Sequence, residues 1–160
     1  DGVRASTTLE GLAKLRPVFA ANGSVTAGNS SQTTDGAAAT VIMSESKVKE
    51  LGLKPIAKLK YYTTVGCKPD EMGVGPRYAV PKLMKMAGMD LKDIGLFEIN
   101  EAFAAMPLVS MKILAEGNRA RWFELLKRTN VNGGAIAIGH PVGASGLRIM
   151  MPHPPPSQPE

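Results

Sequence analysis

A chain of 160 residues, 44% hydrophobic and 21% charged, can bury one modest core or part of a larger one. Its apolar runs are broken by Lys, Ser or Gly well short of the ~20 residues a bilayer needs, which excludes a membrane-spanning chain, and the composition excludes a fibrous or wholly disordered one. The formal net charge is +5, spread over helix-like segments with few aromatics, which excludes a nucleic-acid surface as the first reading and still favours a phosphate-bearing small molecule.

The first predicted element is a short helix over residues 6–16. Thr7 and Glu10 have capping-box spacing, Leu9, Leu12 and Ala13 share a face, and Pro17 stops it. Residues 22–36 are dense in Gly, Ser, Thr and Asn and read as a loop. Residues 37–43 form a small-residue apolar run, compatible with a buried strand or a buried helix turn. A charged helix over 44–51 closes at Gly52. Residues 56–65 are rich in β-formers and read as a strand, and 67–76 as a Gly/Pro loop. Pro81 opens a helix to Ala87, with Leu83, Met84 and Ala87 inward and Gly88 as its cap.

Residues 94–99 read as a compact strand that runs straight into residues 100–105, where a helix begins. A basic helix over 119–128 follows, then a second Gly-rich stretch over 130–146 and a helix from Ser145. The tail, residues 151–160, holds five prolines and cannot continue that helix. Strands alternating with helices argue an α/β layered architecture.

Three segments have the composition of a binding or catalytic site, and all lie where a strand ends or a helix begins, where ligands collect in α/β folds. In Gly133-Gly-Ala-Ile-Ala-Ile-Gly-His140-Pro-Val-Gly-Ala-Ser-Gly146, the glycines leave room for a substrate to approach His140. A neutral imidazole there can take a proton from a thiol or donate to an oxyanion. In Phe97-Glu-Ile-Asn100-Glu-Ala-Phe-Ala-Ala105, spacing alone favours Asn100 as a helix N-cap, with a water-orienting amide as the alternative. Val25-Thr-Ala-Gly-Asn-Ser-Ser31 is equally a plain loop or a bed for an extended ligand, and it lacks the spacing of a P-loop or dinucleotide loop.

Cys67, the single cysteine, has Lys68 beside it but no base nearby in sequence, so a structural role is the better reading than a nucleophile. It rules out a disulfide framework and fits a reducing compartment. Two His and one Cys show no metal-ligand spacing, and no metal is expected.

Taken in order, the segments at Asn100 and at His140 resemble the two downstream signatures of the thiolase family. Thr26-Ala-Gly-Asn-Ser-Ser31 with Asp35-Gly-Ala-Ala-Ala, and Met72-Gly-Val-Gly-Pro76, are similar to further segments of it, with a lean towards the 3-ketoacyl-CoA branch. The resemblance implies an incomplete thiolase-like layered fold, a mixed sheet covered by helices. Residues 1–46 would end the N-terminal half, 47–149 would form most of the C-terminal half, and 150–160 would be a disordered proline-rich tail.

It also implies an acyltransferase of fatty acid β-oxidation, cleaving 3-ketoacyl-CoA thiolytically to acetyl-CoA and a shortened acyl-CoA, or running the reverse Claisen condensation. His140 would deprotonate the nucleophilic thiol, and Asn100 would orient a water in the oxyanion hole while still capping its helix. Ser31 would contact the pantetheine arm, and Met72 and Phe103 would line the acyl pocket. Coenzyme A enters as substrate, with no cofactor. Partners would be CoA thioesters and, in the complete protein, further copies of itself, with no nucleic acid and no membrane span. The cytoplasm is the expected compartment, with the peroxisome or mitochondrial matrix as alternatives.

The departures from the family pattern are equally specific. The nucleophile segment is expected upstream of Asp1 and the second cysteine beyond Ile149, and Cys67 matches neither position. Pro107 is expected to interrupt a helix, and the stretch between Asn100 and His140 is longer than the pattern. The chain as given is therefore expected to be inactive and to keep uncovered sheet edges and apolar faces. A non-catalytic CoA or acyl-CoA-binding module, or a lipid-carrier relative of the thiolases, is the alternative.

Overall fold

The computed structural model describes residues 4–151. The proline-rich tail lies outside them, apart from its first two positions. Seven α-helices are described: α1 (Leu9–Ala13), α2 (Glu45–Glu50), α3 (Pro76–Ala87), α4 (Ala105–Leu114), α5 (Arg119–Leu126), α6 (Ala135–Ile138) and α7 (Val142–Met150). Three 3-10 turns, at Ala27–Asn29, Pro69–Val74 and Leu91–Asp93, join them.

Side-chain caps fix the starts of α1, α2 and α5, in α1 one residue from where spacing alone suggests. In α1 the cap is Thr8, whose hydroxyl accepts from the Gly11 N–H at 3.1 Å, while the Thr7 hydroxyl donates backwards to the Arg4 carbonyl. Helix α2 forms as expected between Ser44, which accepts from the Lys47 N–H, and Gly52 at φ +62°. Helix α3 starts five residues before Pro81: the 3-10 turn at Pro69–Val74 feeds into it, and Pro76 takes the first-turn position where a missing N–H costs nothing. Pro81 is then inside the helix. Leu83, Met84 and Ala87 are half-buried, and Gly88 closes the helix in the left-handed region at φ +64°.

The core lies between α4, α5 and the segment before them. Pro107, Ser110, Met111 and Leu114 recur at helical spacing along α4 and are its buried face. Pro107 falls in the first turn of α4, where its ring has no carbonyl to displace, so the helix runs on uninterrupted. A tight turn through Glu116 (φ +56°) and Gly117 (φ +76°) reverses the chain into α5, capped by Asn118. Trp122 Nε1 donates to the Leu108 carbonyl at 3.0 Å across the hairpin. Phe97, Met111, Leu114, Ala115 and Leu125 form the buried cluster, flanked by Val80, Ile94, Ile99 and Trp122.

The strands are where expectation and structure part. Among the described residues pairing is limited to three isolated bridges: Ser30 with Phe103 (antiparallel), Thr33 with His140 and Phe97 with Thr129 (both parallel). Residues 56–65 and 37–43 have no ladder, and Ile56 and Val41 are 86% and 84% exposed. A strand's hydrogen bonds must be made to another segment, and here none is alongside. The strand expected over 94–99 survives as one rung: Phe97 N donates to Arg128 O at 2.8 Å, and Asn130 N to Phe97 O at 2.9 Å.

Candidate active site

Asn130 extends that rung with its side chain. Its Oδ1 accepts from Ile99 N and its Nδ2 donates to Ile99 O, each at 2.8 Å, so the carboxamide stands in for a neighbouring strand's peptide. Asn130 has φ +49°, a left-handed conformation that Asn tolerates. The same Nδ2 lies 2.7 Å from Glu101 Oε1, and Glu101 Oε2 accepts from Ile136 N in α6 at 3.2 Å. Asn100 is thus held from both sides, by the clamp on Ile99 and the anchor at Glu101.

This arrangement corrects the cap reading. Helix α4 starts at Ala105, five residues past Asn100, and its first turn carries no side-chain cap. The Asn100 side chain is directed to His140 instead, with Nδ2 3.3 Å from Nε2. Its Oδ1 is buried and has no partner among the described residues. Beside it, Ile99, Asn100, Gly133, Gly134 and Arg148 line a cavity of about 10 Å³, room for a single water.

His140 is placed by its backbone and its ring together. Its N–H donates to Gln32 O at 3.3 Å within the bridge to Thr33. The preceding Gly139 is buried at φ +89°, and a Cβ there would meet Thr34 Oγ1 at 2.1 Å, so only glycine brings the two segments this close. On the other side, Nδ1 lies 2.6 Å from the hydroxyl of Ser145, in the first turns of α7. Helix α7 starts at Val142, three residues before the Ser145 start expected from sequence, which turns Ser145 inward beneath the imidazole.

The loop before α2 ties the remaining residues to this centre. Ser31 N donates to Ala102 O and Ala104 N to Asn29 O, both at 2.9 Å, around the bridge from Ser30 to Phe103. Ser31 and Phe103 are half-buried in these adjoining strips, and the Phe103 ring packs edge-on against Phe19. Met72 sits differently. It is 67% exposed on the 3-10 turn that packs on α4, and no described contact joins it to Asn100 or His140. In that neighbourhood Tyr78 donates to the Glu71 carboxylate at 2.5 Å, and this hydrogen bond holds its phenol above the ordinary range.

Cys67 is exposed, so it is not packed as a structural residue, and no described contact sets it against the imidazole. The sequence also gave no hint of Ser145, Asn130 or Glu101 as organisers of the site. Nor did it foresee an open groove of about 410 Å³ beside His140, lined by Thr34, Asp35, Gly36, Pro141, Val142 and Leu147.

Among the described residues no group of three His, Cys, Asp or Glu converges as a metal site, and no helix is long and apolar enough to cross a membrane. Chemically, the centre offers an imidazole nitrogen, an amide donor beside it and a buried carbonyl acceptor.

Two family models match: "Thiolase, N-terminal domain" over residues 1–46 and "Thiolase, C-terminal domain" over 53–153. The 3-ketoacyl-CoA thiolase of Bacillus subtilis (strain 168) is 46% identical over 151 residues, covering 94% of this chain and 37% of that protein. Peroxisomal 3-ketoacyl-CoA thiolase B of Rattus norvegicus is 51% identical over 148 residues, covering 92% and 33%. Among solved structures, human mitochondrial 3-ketoacyl-CoA thiolase in complex with CoA superposes with a TM-score of 0.84 at 47% identity, covering 94% of this chain and 36% of that one. The acetyl-CoA acetyltransferase of Bacillus anthracis gives a TM-score of 0.83 at 45% identity, with 92% and 35% covered. The chain therefore spans about a third of the length of the curated relatives it matches, and over that third its fold is thiolase-like α/β. Matching both domain models in order, over nearly its whole length, the chain belongs to the thiolase family.

Proposed function

We propose that these residues serve an acyltransferase of the thiolase class, which cleaves 3-ketoacyl-CoA with CoA to acetyl-CoA and a shortened acyl-CoA, or runs the reverse condensation. The observation that carries this reading is the 3.3 Å contact between Asn100 Nδ2 and His140 Nε2. In it, Nε2 takes the proton from an attacking thiol, and the resulting imidazolium and the Asn100 amide share the charge that develops on the thioester oxygen. Asn100 Oδ1, a buried acceptor, fits a water held against the same oxygen.

Ser31 and Phe103, in strips tied to the same centre, are proposed contacts for the pantetheine arm and the acyl chain. Met72 is proposed for the acyl pocket only in the presence of further chain over its exposed face. The reading carries CoA thioesters as ligands and no resident cofactor. It takes the whole protein to assemble with copies of itself, in the cytoplasm or, as the name of the rat relative suggests, in a peroxisome.

By themselves the 160 residues are expected to be inert, because their one cysteine is exposed and no described contact brings it to Nε2. The test is a hybrid in which residues 4–149 replace the matching third of the Bacillus subtilis relative. Thiolysis of acetoacetyl-CoA should proceed, and H140A should lower kcat roughly 100- to 10,000-fold. A hybrid whose turnover ignores H140A would overturn the reading. One that binds CoA in a calorimeter without cleaving would point to a non-catalytic binding module.

A further inference from the structure

We propose that Ser145 is a positioning residue that sets the tautomer of His140, keeping the proton on Nδ1 so that Nε2 is the basic atom. Ser145 is 2% exposed. Its Oγ makes two contacts: His140 Nδ1 at 2.6 Å and the Pro141 carbonyl at 3.1 Å. A hydroxyl has one proton to give, and a carbonyl can only accept. The hydroxyl proton has two acceptors in reach, and where it goes to Pro141 O the hydroxyl meets the ring as an acceptor and Nδ1 carries the hydrogen.

The other face of the ring points the same way. Nε2 lies 3.3 Å from the Asn100 amide nitrogen, a donor, which agrees with a lone pair on Nε2. Both contacts therefore favour one neutral tautomer, and it is the one less populated in free histidine. The reverse arrangement would need the hydroxyl to leave Pro141 and the Asn100 carboxamide to turn over, giving up both contacts as they stand.

The sequence achieves this through spacing. Pro141 ends the segment with a carbonyl that already accepts from Ala144 N at 2.8 Å and Ser145 N at 2.9 Å as α7 begins. A serine four residues along the new helix is thereby brought back under the ring that precedes the proline. The use of the lone pair on Nε2 for thiol deprotonation rests on the thiolytic reading above, but the tautomer itself does not.

The experiment uses the full 160-residue chain labelled with ¹⁵N-histidine, read by long-range ¹H–¹⁵N correlation above the titration of the imidazole, with H153Q separating the second histidine. The expected wild-type pattern is protonated Nδ1 and unprotonated Nε2. S145A leaves only the Asn100 contact to favour that state and should shift the population measurably towards the Nε2–H form that dominates free histidine. If S145A does not fold, S145C, whose sulfur is a poor acceptor, must move the tautomer the same way, and S145T should restore it. A wild type with its proton on Nε2, or a folded S145A or S145C with the wild-type pattern, would overturn the proposal. Loss of thiolysis in the hybrid with the Nδ1–H state intact would count against the reaction and leave the tautomer standing.

Discussion

Residues 91–150 and residues 37–65 both carry apolar side chains, yet only the first stretch buries them. In 91–150, α4 and α5 enclose Met111 and Leu125, and Phe97 is tied to them through the carbonyl of Arg128. In 37–65, Val41, Ile42, Ile56 and Tyr62 are exposed, and side-chain ties do the holding: Lys58 to Glu45 at 2.7 Å and Lys82 Nζ to the Thr64 carbonyl at 2.8 Å. The difference is one of hydrogen-bond supply. A helix closes its own backbone bonds, so any helical segment can form with the residues it has. A strand needs another segment beside it, and apolar strand residues without one stay in water.

The largest effect should therefore come from the first region. Met111 is fully buried, and Met111→Ala is expected to cost about 2–5 kcal/mol, the transfer of the side chain plus the cavity it leaves. Ile56→Ser, on a side chain that is mostly in water already, should change stability by no more than about 0.5 kcal/mol. Urea unfolding of both variants reads the contrast directly. If Ile56→Ser proved as damaging as Met111→Ala, the second region would be buried in solution and the comparison would fail.

A smaller loss is expected where the first region meets residues 32–34. Gly139→Ala puts a Cβ 2.1 Å from Thr34 Oγ1 at a φ of +89°, so both the side chain and the backbone must give. Strain of about 1–3 kcal/mol is expected. The rung between Thr33 and His140 should weaken with it, seen as faster hydrogen exchange at the His140 amide, which donates to Gln32 O. An alanine variant with unchanged exchange there would mean that the Gly139 turn does not place the histidine.

Helices were legible because their signals are local. Ser44 and Gly52 bracket α2, so spacing alone found it, whereas the helix expected from Asn100 begins only at Ala105. The errors were local too: Thr7 for Thr8, and Pro81 for Pro76, where two prolines compete for one first-turn position. The strands were misread because 56–65 has the composition of a strand, and composition cannot report whether a partner lies alongside. At the site, His140 and Asn100 were legible from residue type and motif order. Their supports were not, because Asn130 reaches Ile99 across 31 positions and acts by imitating a peptide, which no sequence pattern encodes.

The smallest effect tests the ties that hold the exposed region. Glu45 accepts from Lys58 and then from Lys49, and the Lys58 hydrogen bond pulls its carboxyl below the ordinary carboxylate value. The same bond raises Lys58 above the ordinary lysine value. A depressed carboxylate contributes above its unfolded value and loses that contribution as pH falls through its folded one. A raised lysine contributes below its unfolded value and loses it as pH rises through its folded one. The tie is thus whole near neutrality and fails at both ends, and because both groups are exposed it should also fade with salt. In carboxyl-detected NMR, Lys58→Met should move the Glu45 titration upwards, and added salt should do the same to a lesser degree, while the urea midpoint stays put. A Glu45 that titrates identically with and without Lys58 would leave residues 56–65 attached through Lys82 alone. The exposed segment would then be held only at the end nearer α3.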